Sequence, residues 1–266
     1  MSELARWIVR AHGWCDSPRK RGTDHYFASQ KWDSPRFAHF LLTKPELLRW
    51  ITVALGLIFL LLFKTLAGAE IGFPSALSSV GVQVGETSLG DLVADAVRDA
   101  ARAQVALVPA GSFKEITLAK GKIKPEDVVR CMECPEERII IVELSGKQLL
   151  TALERSLSIQ PQRNMGLLQV SGLAIRFGPA GSNGSRIESV EIGTDKLDET
   201  RNYRVAMPDS LADGNYGYFT VWGKEQPRPF TDGTVSKAIS GFLATKPALS
   251  YAQKTRIVAG ELRVVS

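Results

Sequence analysis

The run Trp50-Ile51-Thr52-Val53-Ala54-Leu55-Gly56-Leu57-Ile58-Phe59-Leu60-Leu61-Leu62-Phe63 contains no charged residue and divides the chain into two parts that must meet different solvents. Extended to Leu47 and Leu66 it has 20 residues, the helix length that crosses a bilayer core of ~30 Å. Arg49 and Lys64 stand near its ends, where long cationic side chains reach the interface. Residues 1–49 hold nine Lys/Arg and five Asp/Glu, so the positive-inside rule keeps the N-terminus cytoplasmic and exports residues 70–266. Ala67-Gly68-Ala69 also fits a signal-peptidase site, with Lys44 to Arg49 as a late basic region. Anchor or cleaved signal, both readings export the domain, whereas an uncharged run bordered by basic residues argues against a buried core helix.

The expected organisation is a basic and aromatic cytoplasmic tail (1–46), a transmembrane anchor or signal segment (47–69), a linker (70–84) and one domain (85–266). Trp7, Trp14, Trp32 and the cluster Arg19-Lys20-Arg21 match no motif in the tail. With 44% hydrophobic and 23% charged residues the chain can bury a sizeable core. The net charge of +5 arises before residue 65, because residues 70–266 hold 23 charges of each sign. A nucleic-acid partner is therefore not expected.

Histidine occurs only at His12, His25 and His39. A two-metal hydrolase built from imidazoles and carboxylates cannot be assembled from residues 51–266, and no metal or cofactor is expected. Cys131-Met132-Glu133-Cys134 has C-x-x-C spacing. A zinc site wants two more ligands, and a redox pair wants a helix N-terminus where Pro135-Glu136-Glu137 follows instead; a local disulfide or two idle thiols is the expectation.

Helical spacing of Leu89, Leu92, Val93, Ala96, Val97 and Ala100 predicts a helix capped by Ser88, with Asp91 three residues on. Asp91, Asp95 and Asp99 recur every four residues beside Arg98 and Arg102, which reads as a solvated face. Val105–Val108 and Arg138–Leu144 read as strands, and Leu149, Leu150, Leu153 and Leu157 mark a helix from Gly146 to Leu157. Further strands are expected at Leu168–Phe177, Ser185–Ile192, Tyr203–Ala206 and Leu262–Val265, and a helix at Val235–Leu243. This mixed order implies an α+β fold, a mixed β-sheet with flanking helices.

Four blocks carry a family resemblance. Gly85-Glu86-Thr87-Ser88-Leu89-Gly90-Asp91-Leu92-Val93-Ala94-Asp95-Ala96 comes first. Val142-Glu143-Leu144-Ser145-Gly146-Lys147-Gln148-Leu149 with Ala152-Leu153-Glu154 follows, then Leu168-Gln169-Val170-Ser171-Gly172-Leu173, then Tyr203-Arg204-Val205-Ala206 with Leu211-Ala212. In this order they closely resemble the 5'-nucleotidase C-terminal domain, from about Gly85 to Leu243. In that family a metallophosphoesterase domain of over three hundred residues normally precedes the signature, where 84 residues precede it here. The resemblance thus implies a substrate-binding domain without its metal-binding catalytic partner.

The departures from the family fall where its members touch ligand. The resemblance places a phosphate-binding Arg at Lys114, in Pro109-Ala110-Gly111-Ser112-Phe113-Lys114, and a P-F-x-N loop at Pro135-Glu136-Glu137-Arg138. A lysine lacks the bidentate fork of arginine, and two adjacent carboxylates repel phosphate, with Arg138 a partial offset. The two base-stacking aromatics appear as Leu167 and Ser210, and losing both would weaken base binding by about two to four orders of magnitude. The G-G-D-G-[FY] loop reads Gly214-Asn215-Tyr216-Gly217-Tyr218, which offers Tyr216 or Tyr218 as a new stacking platform.

Lys114, Arg138, Leu167, Ser210, Tyr216 and Tyr218 are accordingly the inherited ligand positions, and no residue is assigned a catalytic role. The expected function is that of a membrane-anchored pseudoenzyme, a ligand- or protein-binding module of a family engaged in nucleotide catabolism. Its expected partners are the membrane, a nucleotide or nucleoside, and another membrane or periplasmic protein. The alternative is a substrate-binding component for a separate metallophosphoesterase chain. Catalysis by the domain itself is the weakest reading, without histidine or a G-x-S-x-G nucleophile motif.

Overall fold

The computed structural model describes residues 71–260, apart from 182–183, 224–225, 227–228, 247–249 and 253–254, together with Val53. The remainder of the hydrophobic run at 50–63 and the strand expected at Leu262–Val265 lie outside the described residues. Among the described residues no helix is long and apolar enough to cross a membrane.

In chain order the elements are β1 (Ile71–Phe73), β2 (Leu77–Ser78), α1 (Ser88–Ala101), β3 (Val105–Pro109), β4 (Thr117–Leu118), β5 (Gly121–Ile123), α2 (Pro125–Val129) and β6 (Arg138–Ser145). There follow α3 (Gly146–Leu157), β7 (Leu168–Ser171), β8 (Leu173–Phe177), β9 (Ile187–Ile192), β10 (Asp195–Lys196) and β11 (Asn202–Pro208). The last elements are α4 (Asp209–Ala212), β12 (Phe230–Thr234), α5 (Val235–Thr245) and β13 (Ile257–Ala259). The α+β reading therefore holds.

β-Branched runs supply the centre. Val105–Val108 and Ile139–Val142 are buried along their whole length, as strands covered on both faces must be. They belong to a five-stranded sheet of order β12-β6-β11-β3-β7, mixed because β11 pairs parallel with β3 and the other pairs are antiparallel. A second sheet, β10-β9-β8-β13, continues from β7 through Gly172. Helix α1 packs on β3 and β7 and against α5, while α3 returns along β6.

Residues 71–84 of the stretch expected as a linker (70–84) are part of the packed fold. β1 pairs with β5 and β2 with β4, and Ile71, Phe73, Leu77 and Val82 are buried. Strands of two or three residues fall below the length at which alternation registers in a sequence. β13 escapes sequence reasoning for the same reason.

Helix α1 buries Leu89, Leu92, Val93, Ala96 and Val97 as its spacing requires, with Ala101 in place of Ala100. Its N-cap is Thr87 rather than Ser88. The Thr87 hydroxyl accepts the Gly90 N–H at 3.2 Å, while the Ser88 hydroxyl turns away to accept the Ser78 N–H at 2.8 Å. Two neighbouring hydroxyls compete for one cap, and the position of β2 decides between them.

Two of the signature blocks interlock at this cap. Gln169 is fully buried, and its Oε1 accepts the Thr87 N–H at 2.9 Å while its Nε2 donates to the Gly85 carbonyl at 3.0 Å. A Cβ on Gly90 would collide with that Oε1. Glycine at 90 is therefore a condition for the glutamine's approach.

The acidic set does not form the solvated face expected of it. Asp95 binds the Arg256 guanidinium through both oxygens, each at 2.9 Å, and also accepts from Ser171 and from the Tyr251 hydroxyl. Arg256 donates further to the Val170 carbonyl at 2.8 Å and lies 3.5 Å from Asp91. Glu86 accepts the backbone N–H groups of Thr255, Arg256 and Ile257 at 2.9, 2.9 and 2.7 Å. Asp91 and Glu86 are both buried and face one another. The cluster joins α1 to the chain's last described strand, and its cation is some 160 residues from its acids, which is why the sequence pattern concealed it. Only Asp99 keeps the expected exposure.

Burial pushes the Asp91 carboxyl up to about 8, with Glu86 adding to the rise and Arg256 opposing it. Asp91 thus holds its proton more tightly folded than unfolded. Its contribution to stability is full below the unfolded value of 3.8, falls as pH rises to about 8, and is constant above that. Since each unit corresponds to about 1.4 kcal/mol, the slope is large enough to measure. Asp91→Asn, which keeps a hydrogen-bond donor toward Glu86, should remove the slope and raise the thermal midpoint above the parent's at pH ~9. Parallel pH profiles of midpoint for the two proteins would overturn this assignment.

Candidate functional site

The sheet's register gathers four loops at one end. Pro208 pairs with Ile139 across β11 and β6, and Pro109 pairs with Leu168 across β3 and β7. The segments after β3 and β11, the segment before β7 and the start of β6 therefore emerge together, and they carry all six positions that the resemblance assigns to ligand.

The loops are bound to each other rather than held apart. The Ala110 N–H donates to the Leu167 carbonyl at 2.7 Å and the Gly111 N–H to the Met165 carbonyl at 2.8 Å. Glu133 N–H donates to the Ser112 carbonyl, and Lys114 N–H to the Cys131 carbonyl, each at 2.9 Å. The Ser210 N–H donates to the Glu137 carboxylate, and Arg138 pairs with Asp209 at 2.8 Å.

Each inherited position has an occupation of its own. Leu167 is fully buried and serves the core. The Lys114 ammonium, exposed, reaches the Arg130 carbonyl at 3.4 Å. Tyr216 adopts a left-handed backbone at φ 57°, a conformation costly for a bulky residue. Its hydroxyl sits where a Cβ on Gly111 would stand, so the ring closes over a glycine that must stay bare. Burial, and then the Glu137 carboxylate, push the Tyr216 phenol up.

Tyr218 is not a platform open to ligand. It is fully buried, its hydroxyl donates to the Gly166 carbonyl at 2.7 Å, and its ring stacks on Trp222 with centroids 5.1 Å apart. Burial pushes its phenol well above the ordinary range. Arg155 covers the ring at 5.6 Å and donates to the Tyr216 carbonyl at 2.7 Å, fixing the loop. A cleft of ≈ 130 Å³ remains between Arg155, Ser158, Ile159, Asn164, Tyr216 and Tyr218.

Arg155 and Glu137 are the residues whose roles sequence reasoning misses here. Arg155 follows Ala152-Leu153-Glu154 on the polar side of a strongly amphipathic helix, which reads as solvent-facing. Glu137 reads as repelling a ligand, whereas its carboxylate is engaged by the loop's own backbone.

Cys131 and Cys134 are free thiols. Cys131 is buried, its thiol donates to the Asp127 carbonyl at 3.2 Å, and burial pushes it up, whereas Cys134 is exposed. Among the described residues no group of three or more His, Cys, Asp and Glu could hold a metal ion.

Comparison with known proteins bears on this geometry. Residues 66–223, more than half of the chain, match the family described as 5'-nucleotidase, C-terminal domain. The chain belongs to that family. The match begins ahead of the signature, in keeping with the packed strands β1 and β2. An apyrase of Aedes albopictus is 31% identical over 146 residues, covering 50% of this chain and 26% of the apyrase. The trifunctional nucleotide phosphoesterase protein of Bacillus subtilis is 29% identical over 146 residues, covering 52% of this chain and 10% of that protein. The chain thus spans about a quarter or less of these curated relatives.

Among solved structures, the 5'-nucleotidase precursor of Thermus thermophilus superposes with a TM-score of 0.65 at 24% identity, over 80% of this chain and 43% of that one. The NAD nucleotidase of Haemophilus influenzae gives 0.63 at 14% identity, over 74% and 39%. Both likenesses establish the fold, the C-terminal domain architecture of the family.

If Tyr218 is a structural buttress, Tyr218→Phe should leave the Gly166 carbonyl unpaired in the interior. The expected loss is about 1–3 kcal/mol in denaturant unfolding. An unchanged midpoint would show that the hydroxyl does not anchor the loop.

Proposed function

We propose that this chain is a membrane-anchored, non-catalytic member of the 5'-nucleotidase C-terminal domain family that serves as a ligand- or protein-binding module. One observation carries the reading: groups of the protein itself take up the positions where the family resemblance puts base and phosphate. Tyr216 closes over Gly111, Leu167 and Tyr218 are buried, Ser210 is tied to Glu137 and Arg138 to Asp209. The absence of histidine from residues 51–266 supports a non-catalytic role.

Residues 47–69 act as the single-pass anchor, with 1–46 cytoplasmic and the domain extracytoplasmic. The apolar run and its basic flank support this placement.

A second reading rests on a separate observation. Ile159, Met165 and Phe219 are large apolar side chains left 44%, 50% and 70% exposed around the same end of the sheet, beside Tyr216. Exposed apolar side chains at a loop cluster favour a protein partner, and Lys114 stays accessible to a phosphate. In this reading a separate metallophosphoesterase chain docks here and the domain presents nucleotide to it.

Titration calorimetry of the detergent-solubilised full chain with adenosine, AMP and UDP-glucose separates the readings. The binding-module reading expects no saturable heat up to ~1 mM ligand. Micromolar binding that Lys114→Ala weakens would instead favour the substrate-presenting component. The anchor predicts that the full chain stays in the membrane pellet after alkaline carbonate extraction, and release to the supernatant would refute it.

A further inference from the structure

At the opposite end of the five-stranded sheet, where α1 ends and β3 begins, two adjoining clefts of ≈ 460 and ≈ 590 Å³ share Arg98 and Asp95 in their walls. The first is lined also by Asp99, Arg102, Phe242 and Lys246. Residues 70–266 are electrically neutral as a whole, so a local excess of positive charge needs a cause.

Asp95 does not supply the balance, because both of its oxygens bind Arg256. That leaves Asp99 against Arg98, Arg102 and Lys246. Cations commonly gather at helix C-termini to serve the last carbonyls, yet the Arg98, Asp99, Gly241 and Phe242 carbonyls have other donors here. The Arg102 N–H donates to the Arg98 and Asp99 carbonyls and the Ala103 N–H to that of Arg98. The Lys246 N–H donates to the Phe242 carbonyl, and the Thr245 hydroxyl to those of Gly241 and Phe242. In addition, the Arg98 Nε is buried without a hydrogen-bond partner among the described residues. A buried guanidinium N–H left unpaired is costly unless an acceptor arrives.

We propose that this cleft binds a phosphoryl group, held between Arg98, Arg102 and Lys246. Two guanidinium forks and an ammonium set against one carboxylate match a dianionic tetrahedral oxyanion better than a single carboxylate. The phosphoryl group gives the Arg98 guanidinium a counter-charge and offsets the mutual repulsion of Arg98 and Arg102, which stand four residues apart. Phe242 supplies an apolar floor, and the adjoining cleft, with Leu173 and Ile192 in its wall, has room for the body of the ligand. The group belongs to a soluble phosphate ester or to a lipid headgroup.

The test is titration of the detergent-solubilised full chain with pyrophosphate, read by calorimetry. Saturable binding is expected, weakened at least about tenfold in the double variant Arg102→Ala/Lys246→Ala, whose replaced side chains are exposed and whose thermal midpoint serves as the folding control. Lys237→Ala, an exposed cation in the first turn of α5 and outside both clefts, should leave the affinity unchanged. Absence of saturation at ~10 mM, an unaltered affinity in the double variant, or loss in Lys237→Ala would each overturn the proposal. Reconstitution into phosphatidylcholine vesicles with and without phosphatidic acid then identifies the source. Weaker apparent pyrophosphate binding with phosphatidic acid supports the headgroup, and unchanged binding supports the soluble ester.

Discussion

One guanidinium organises the charged interior of this domain. Arg256 meets Asp95 in a two-pronged pair, approaches Asp91 and caps the Val170 carbonyl, while its own backbone and those of its neighbours are taken by Glu86. Three acids of the signature block are thereby held beside a single cation, at low solvent exposure, where an unpartnered charge would be very unfavourable. The arrangement is tolerated because nearly every oxygen is hydrogen-bonded and because Asp91 keeps its proton. A buried ion cluster is weak evidence for added stability, and what this one does is tie α1 to the start of the strand β13.

The signature therefore has a structural meaning that is independent of ligand. Glu86, Asp91 and Asp95 bind the C-terminal end of the domain, and Thr87 and Gly90 admit Gln169 of β7. These groups build the scaffold whether or not anything occupies the loops at the sheet's end. We propose that this chain keeps every one of them while carrying Leu167, Ser210 and Tyr216 where the family resemblance assigns ligand contacts.

What the sequence made legible follows from the range of the interactions involved. Ile139–Val142 and the leucines of α3 announce their elements because period and burial are local properties. The acidic residues of α1 have the spacing of a solvated face, and only the fold brings Arg256 to them. Short strands such as β1, β2 and β13 exist through their partners rather than through any alternation of their own. At the loops, resemblance named six candidate ligand positions, but the roles of Tyr218 and Arg155 depend on Trp222, Gly166 and the carbonyl of Tyr216, none of which a motif reveals.

The dependence of Glu86 on residues 255–257 also sets the order in which the chain can acquire structure. The first helix of the domain and the turn that leads into it carry three carboxyls whose shared cation is made last, and the helix cap waits for Gln169, some 80 residues downstream. A ribosome releases the N-terminal part first, so α1 can meet β3 and β7 early, but its acids have no cation until Arg256 emerges. The charged contacts of α1 are consequently the last to close, and a chain cut before Thr255 would carry its acids into an interior with no cation to receive them.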